Sequence, residues 1–245
     1  MRVMGVIPAR YQSSRLEGKP LADIHGKPMI QHVYERARQA RCLDSVVVAT
    51  DDPRIFEAVR GFGGEAMMTS ASHRSGTDRV AEVARAGEAD VIVNVQGDEP
   101  MLDPQMIEEI VAPFTQGIGA EFVTLKRETR DEAVWADPGV VKVVTDLAGW
   151  ALYFSRSLVP YPRNRTARSR VFEHIGLYAY SRACLARLSA LAPTPLEETE
   201  SLEQLRALEN GIRLYVVETE CGRHSVAVDT PADLDEVRRL LAPVG

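Results

Sequence analysis

Three short apolar runs constrain this chain more than any other feature: VMGVI at residues 3–7, SVVVAT at 45–50 and DVIVNV at 90–95. Each is apolar at consecutive positions, and a strand of that kind has to be covered on both faces. The segments between them carry helical spacing, as in Ile30, Val33 and Ala37 within residues 29–40. Strands buried on both sides and joined by helices form a parallel, doubly wound α/β sheet. Further helices are predicted over 54–62, over 78–86, and through Phe114 from Asp103-Pro104, which supply an N-cap and a first helical residue. Residues 121–127, 140–145, 150–155 and 175–180 read as strands with polar alternation, an antiparallel extension of the same sheet. Helices over 182–191 and 200–209 follow, the second stopped by Asn210-Gly211. A strand over 213–217 and a last helix, opened by the capping chemistry of Thr230-Pro231-Ala232-Asp233, complete the chain. With no linker, repeat or low-complexity segment in view, it reads as a single domain over 1–245.

Charge narrows the partners. With 29 Lys+Arg against 35 Asp+Glu the net charge is −6, the wrong sign for a general nucleic-acid binder. No stretch approaches the ~20 apolar residues that span a bilayer. The apolar start of MRVMGVIPAR is too short for a signal peptide. Cys42, Cys184 and Cys221 lie far apart, with no CxxC and no zinc spacing, and such a sparse odd set fits a reducing compartment. The expectation is a soluble, cytoplasmic protein without nucleic-acid or membrane partners.

On this acidic chain the stretch VIPARYQSSRLEGKPLADIHGKPMI, residues 6–30, concentrates Arg10, Arg15, Lys19 and Lys27 at the end of the first strand. Ligands of open α/β sheets sit beyond the carboxyl ends of the strands. Arginine offers phosphate oxygens a planar fork and lysine a movable point charge. Arg10 and Lys19 therefore suit a small anionic ligand, against the plainer alternative of a solvated loop with surface cations. The loop is not a P-loop: Pro20 follows Gly18-Lys19 where Ser or Thr is required, and Ser13 stands in place of the first Gly. Gly61-Phe62-Gly63-Gly64-Glu65-Ala66 spells G-x-G-x-x-A but follows a helix, so it reads as a helix C-cap and turn.

Two carboxylates complete the pattern. Asp98, in Gln96-Gly97-Asp98-Glu99-Pro100, follows the third apolar run, and Asp229, in Val226-Ala227-Val228-Asp229-Thr230-Pro231, ends another. Taken singly, each also reads as a turn aspartate capping backbone amides. Two carboxylates at two strand ends with a basic loop between them match metal-assisted phosphoryl or nucleotidyl transfer. Asp98 could hold Mg²⁺ on a triphosphate, and Gly97 could let the backbone approach a ligand closely. No Ser/His/Asp or Cys/His arrangement argues for a covalent intermediate.

PARYQSSRLEGKPL, SHRSGTDRVAE, VQGDEP, VVKVV, ALYFSRSLVPY, HIGLYAY, PLEETESLEQLR and VDTPADL occur in this order from residue 3 to about 240. Together they resemble the 3-deoxy-manno-octulosonate (KDO) cytidylyltransferases, or CMP-KDO synthetases. PARxxSxRxxxKPL marks the wider cytidylyltransferase group, which includes the CMP-sialic acid synthetases, whereas HIGLYAY and SLEQLR narrow the resemblance to the KDO enzymes. The resemblance implies a Rossmann-like nucleotidyltransferase fold with a mostly parallel mixed sheet and a small antiparallel extension, at about 121–180, used in dimerisation. It implies CTP and KDO as substrates, CMP-KDO and pyrophosphate as products, Mg²⁺ as cofactor, a homodimer, and a place in lipopolysaccharide synthesis.

By the same resemblance Arg10 and Lys19 grip the triphosphate, with Ala9 and Ser13 nearby, and Asp98 and Asp229 hold Mg²⁺. Arg74, Ser75 and Arg79 fall where the nucleotide pocket is lined. Gln96, Arg156, His174, Tyr178, Glu203 and Gln204 match positions that surround the sugar acid. Without the resemblance, His174 reads as an ordinary strand histidine and Tyr178 as core. Glu203 and Gln204 then belong to a helix whose acidic residues, Glu197, Glu198 and Glu200, form a solvated face. Two departures stand out: Ala227 where the family pattern has Gly, and a short, arginine-rich stretch from Pro162 to Phe172. The alternatives are a cytidylyltransferase for 8-amino-KDO or sialic acid, and a non-catalytic nucleotide-sugar binding protein on the same fold.

Overall fold

The computed structural model describes residues 1–12, 16–164, 170–222 and 226–242. The chain divides into two compact units, residues 1–108 with 221–245, and residues 109–220.

The first unit runs β1 (Val3–Ala9), a two-strand hairpin of β2 (Asp23–Ile24) and β3 (Lys27–Pro28), α1 (Met29–Ala37), β4 (Ser45–Thr50), α2 (Pro53–Gly61), β5 (Glu65–Met68), α3 (Gly76–Ala86), β6 (Val91–Asn94) and the start of α4 (Pro104–Val111). β1 pairs in parallel with β4 on one side and β6 on the other, and β4 pairs in parallel with β5. The strand order β6-β1-β4-β5 means that the chain winds outward from β1 in one direction and then returns to its other flank. That reversal makes the carboxyl ends of β1 and β6 the switch point at which their loops diverge and a crevice opens. The consecutive apolar runs behave as their pattern requires: Val6, Ile7, Val46, Val48, Ile92 and Val93 are fully buried. α1 covers the sheet through Ile30, Val33 and Ala37, the residues whose spacing predicted it.

Three strands of this unit, β2, β3 and β5, carry no apolar run that predicts them. β5 has no buried residue, so an edge strand of four residues leaves no run of apolar positions to read. Gly63, at φ 81°, does end α2 as a C-cap glycine should, and the strand begins two residues later. The β2–β3 hairpin turns on His25 and Gly26, both at positive φ (52° and 83°), the geometry of a two-residue primed turn.

The second unit holds the end of α4, β7 (Phe122–Thr129), α5 (Glu132–Ala136), β8 (Lys142–Thr145), β9 (Ala151–Ser155), β10 (Val171–Ser181), α6 (Arg182–Ser189), α7 (Pro195–Glu200), α8 (Gln204–Glu209) and β11 (Tyr215–Glu218). β10 runs antiparallel to β7 and β8, β8 antiparallel to β9, and β11 parallel to β7. The predicted extension over 121–180 lies inside this unit, which also takes in α6 to α8 and β11. The arginine-rich stretch is described only in part, since residues 165–169 lie outside the described ones.

The helix predicted over 200–209 is corrected to two. Ser201, at φ 52°, ends α7, and α8 starts at Gln204. The acidic residues taken for a solvated face explain the break. Glu197 pairs with Arg206 of α8, both side chains nearly buried. Glu200 accepts the Ser155 hydroxyl at 2.7 Å and the Arg156 amide at 2.9 Å. These internal partners fold the chain back where helical spacing alone would continue.

α9 (Pro231–Leu240) completes the first unit behind a capping box between Thr230 and Asp233. It buries Leu234 and Val237 with Val228, Ile24 and Met29, which fastens the segment carrying Asp229 to the β2–β3 hairpin and the start of α1.

Candidate active site

The basic loop after β1 is closed on itself by local contacts. Gly18, at φ 68°, donates its amide to the Tyr11 carbonyl at 2.9 Å, and a Cβ there would lie 3.1 Å from the Tyr11 ring. The Arg54 guanidinium stacks over the same ring, 3.3 Å from its centroid. The closure sets Lys19 at the head of the short 3₁₀ turn Lys19–Leu21, anchored by buried Pro20. Arg10 donates to the His73 carbonyl at 2.8 Å and so ties this loop to the one that precedes α3.

Asp98 and Asp229 are brought side by side by the main chain, because the Val228 amide donates to the Asp98 carbonyl at 2.8 Å. The Lys19 ammonium then spans the two carboxylates, 2.9 Å from Asp98 Oδ2 and 3.3 Å from Asp229 Oδ1. One cation holds two anions, so the trio keeps a residual negative charge made entirely of hard oxygen donors.

Beside it lies a cleft of about 390 Å³, lined by Ala9, Arg10, Lys19, Arg74, Ser75, Gln96, Gly97 and Asp98, with Pro8, Gln12, Pro20 and Gly76. Ser75 caps α3 by accepting the Asp78 amide at 3.1 Å. The N-terminus of an eleven-residue helix therefore faces the cleft with its positive dipole end. Arg10, Lys19, exposed Arg74 and that terminus make one wall suited to a polyanion. Gly97, whose small size suggested a close ligand approach, is required for another contact as well: a Cβ there would lie 2.7 Å from the Pro8 carbonyl oxygen of β1. Gly97→Ala is expected to destabilise the protein by about 1–3 kcal/mol, as overpacking does. Urea unfolding measures this, and an unchanged midpoint would show that the β6 loop can move off β1 freely.

Most of the residues expected at the nucleotide converge here; two need comment. Ser13 lies outside the described residues. Arg79 is corrected: it is fully buried, bonded to the Thr69 hydroxyl and 3.1 Å from the Asp51 carboxylate, and does not line the cleft. Pro8, Gln12, Pro20 and Gly76 also line the cleft, and all four lie inside PARYQSSRLEGKPL and SHRSGTDRVAE. Asp51 had as its only signal its place at the end of SVVVAT.

The residues expected at the sugar acid divide. Gln96 lines the cleft of the first unit. In the second unit the rings of His174 and Tyr178 lie 5.5 Å apart, and the Tyr178 hydroxyl donates to Gln204 Oε1 at 3.4 Å. Burial pushes the His174 pKa down to about 3, so this imidazole is neutral at physiological pH. Burial, with Glu203 nearby, raises the pKa of Tyr178 and keeps its hydroxyl protonated. Glu203 sits at the N-cap of α8, 3.8 Å from Arg206. Arg156 differs from expectation: its guanidinium donates to the carbonyls of Glu200 at 2.7 Å, Pro138 at 3.0 Å and Ser201 at 3.4 Å. It thereby clasps the α7–α8 turn that presents Glu203 and Gln204.

The pattern of the cytidylyltransferase family matches residues 4–214. The 3-deoxy-manno-octulosonate cytidylyltransferase of Geobacter sulfurreducens is 52% identical over 247 residues, covering 97% of this chain and 98% of its own. This chain belongs to the 3-deoxy-manno-octulosonate cytidylyltransferase family. A member from Syntrophotalea carbinolica is 54% identical, with 97% of both chains covered. A solved CMP:2-keto-3-deoxy-manno-octonic acid synthetase, complexed with CTP, superposes with a TM-score of 0.93 at 48% identity over 99% of both chains. The segments that narrow the resemblance lie in β10, for HIGLYAY, and at the start of α8, for SLEQLR, and they carry His174, Tyr178 and Gln204. Ala227, the departure from the family pattern, is exposed, so its methyl group displaces nothing.

Proposed function

We propose that this chain transfers the cytidylyl group of CTP to KDO, giving CMP-KDO and pyrophosphate for lipopolysaccharide synthesis. The observation that carries the reading is the Lys19 ammonium held between Asp98 and Asp229 at the head of a cationic cleft. Binding alone needs cations for a triphosphate; it does not need two carboxylates aimed at the same place.

The anomeric hydroxyl of KDO attacks the α-phosphorus of CTP in line, a new P–O bond forms, and the bond to the β-phosphate oxygen breaks. Pyrophosphate leaves with the electron pair and the hydroxyl proton passes to solvent. Little covalent chemistry falls to the protein, which positions the groups and neutralises charge. Arg10, Arg74 and the amides at the start of α3 bind the phosphates, and Arg10 with Lys19 stabilises charge on the leaving group. Gln96, His174, Tyr178, Glu203 and Gln204 are assigned to the sugar acid. Arg156 is assigned to it through the turn it clasps.

Asp98 and Asp229 fit Mg²⁺, which takes one or two carboxylates together with phosphate oxygens and water. Bound there, Mg²⁺ would polarise the α-phosphate. A cytoplasmic homodimer belongs to the same reading. Free Cys42, Cys184 and Cys221 support the compartment, and the homodimer rests on the family resemblance.

Pyrophosphate release from CTP and Mg²⁺, with KDO, 8-amino-KDO and sialic acid in parallel, tests the proposal. Release with KDO alone is expected. Release only with another sugar acid would keep the chemistry and overturn the sugar assignments. Silence with all three from a folded protein that binds CTP would establish a binding protein instead.

A further inference from the structure

We propose that Thr124 is a positioning residue that fixes the tautomer of His174, placing the proton on Nε2 and leaving Nδ1 as an acceptor for a hydroxyl of the sugar acid. The second half rests on the assignment of His174 to the sugar acid; the first half rests on geometry alone.

β10 carries a bulge opposite β7, where the register shifts between Ile175 and Tyr178. A bulge removes carbonyls from the ladder, and they need other donors. Fully buried Thr124 supplies one: its hydroxyl lies 2.9 Å from the Leu177 carbonyl and 3.1 Å from the Ile175 carbonyl. The same oxygen is 2.9 Å from His174 Nε2. A threonine hydroxyl has a single proton and two lone pairs, and a carbonyl can only accept. An Nδ1–H tautomer would draw that proton to Nε2 and leave both carbonyls facing oxygen lone pairs; with Nε2 as N–H the proton stays with the carbonyls and a lone pair receives His174. A neutral imidazole has one donor and one acceptor, so Nδ1 is then the acceptor.

The ring has little freedom to exchange these roles. The His174 amide donates to the Val141 carbonyl at 2.8 Å, the Phe154 ring meets the imidazole edge-on at 4.9 Å, and Tyr178 flanks it. An acceptor nitrogen repels a carboxylate and receives a hydroxyl. The part of the sugar acid that His174 recognises is therefore a hydroxyl, and its carboxylate belongs to other residues.

Long-range ¹H–¹⁵N correlation spectra of the whole protein, labelled with ¹⁵N-histidine, report the tautomer directly. The expected result is the Nε2–H form of His174; an Nδ1–H form overturns the proposal. Thr124→Val removes the anchor and is expected to raise the KM for KDO about tenfold, the scale of one hydrogen bond, with the KM for CTP unchanged. Thr124→Ser, which keeps the hydroxyl, is expected to restore both the spectrum and the KM. An altered tautomer with an unchanged KM for KDO overturns the recognition of the sugar hydroxyl. Failure of the KDO reading itself would appear separately, as wild-type protein that releases no pyrophosphate with KDO. Should Thr124→Val not fold, the wild-type spectrum decides the tautomer and titration of labelled wild-type protein with KDO decides its consequence: a shifted Nδ1 resonance is expected, and an Nδ1 resonance unmoved at saturating KDO overturns the recognition of the sugar hydroxyl.

Discussion

Asp98→Asn is expected to lower turnover by ~100-fold or more, the scale on which one preorganised electrostatic group acts. The substitution changes charge and almost nothing else. Asparagine keeps the shape of the side chain, and the contact that holds the Asp229 segment in place, Val228 amide to Asp98 carbonyl at 2.8 Å, uses the main chain. What changes is the trio. Lys19 now neutralises two carboxylates at 2.9 Å and 3.3 Å; in the variant it faces Asp229 alone, and the pair no longer offers a hard cation two anionic oxygens. The measurement is kcat for pyrophosphate release at saturating Mg²⁺, beside a urea transition and a CTP titration. Unaltered stability, retained CTP binding and collapsed turnover are expected together. Near-normal turnover would remove Asp98 from the metal site.

Arg79→Met is expected to destabilise the protein by about 1–3 kcal/mol, the scale for removing a buried hydrogen-bonding partner, because the Asp51 carboxylate left behind is 23% exposed and water can reach it. The guanidinium is fully buried, contacts Thr69 and lies 3.1 Å from Asp51. Methionine fills much of the space but leaves the Asp51 carboxylate without its counter-charge. Asp51→Asn in the same chain is expected to return part of the loss, because the pair is then removed whole. Denaturant midpoints of the two single variants and the double variant measure the coupling. Wild-type stability in Arg79→Met together with lost CTP binding would reinstate Arg79 as a nucleotide ligand and end its structural assignment.

Arg74 and Arg79 show how far a motif reaches. Both belong to SHRSGTDR, and the resemblance places both at the nucleotide. Arg74 precedes the cap and stays exposed at the cleft, whereas Arg79 lies one turn into α3 and is fully buried there, on the side of the helix that also buries Val83. The motif records which residue types are present; the helix decides which way each one turns. Glu197 and Glu200 repeat the point: their spacing reads as a solvated face, and only Arg206, Ser155 and Arg156 turn them inward.

The sequence by itself determined what local chemistry can write. Runs of consecutive apolar residues made the parallel strands, Ser75 with Asp78 and Thr230 with Asp233 made the caps, and Arg10 and Asp98 follow the ends of β1 and β6, whereas Asp229, expected at a strand end, ends an irregular segment. Tertiary structure alone decided the strand order, the inward turn of Arg79, the break at Ser201 and the bond between Thr124 and His174. It also decided that Lys19 meets partners 79 and 210 residues away. Strands and caps form between residues a few places apart, whose spacing the sequence displays. An ion pair or hydrogen bond between distant residues exists only once the sheet has closed and buried its apolar faces, and no local pattern encodes it.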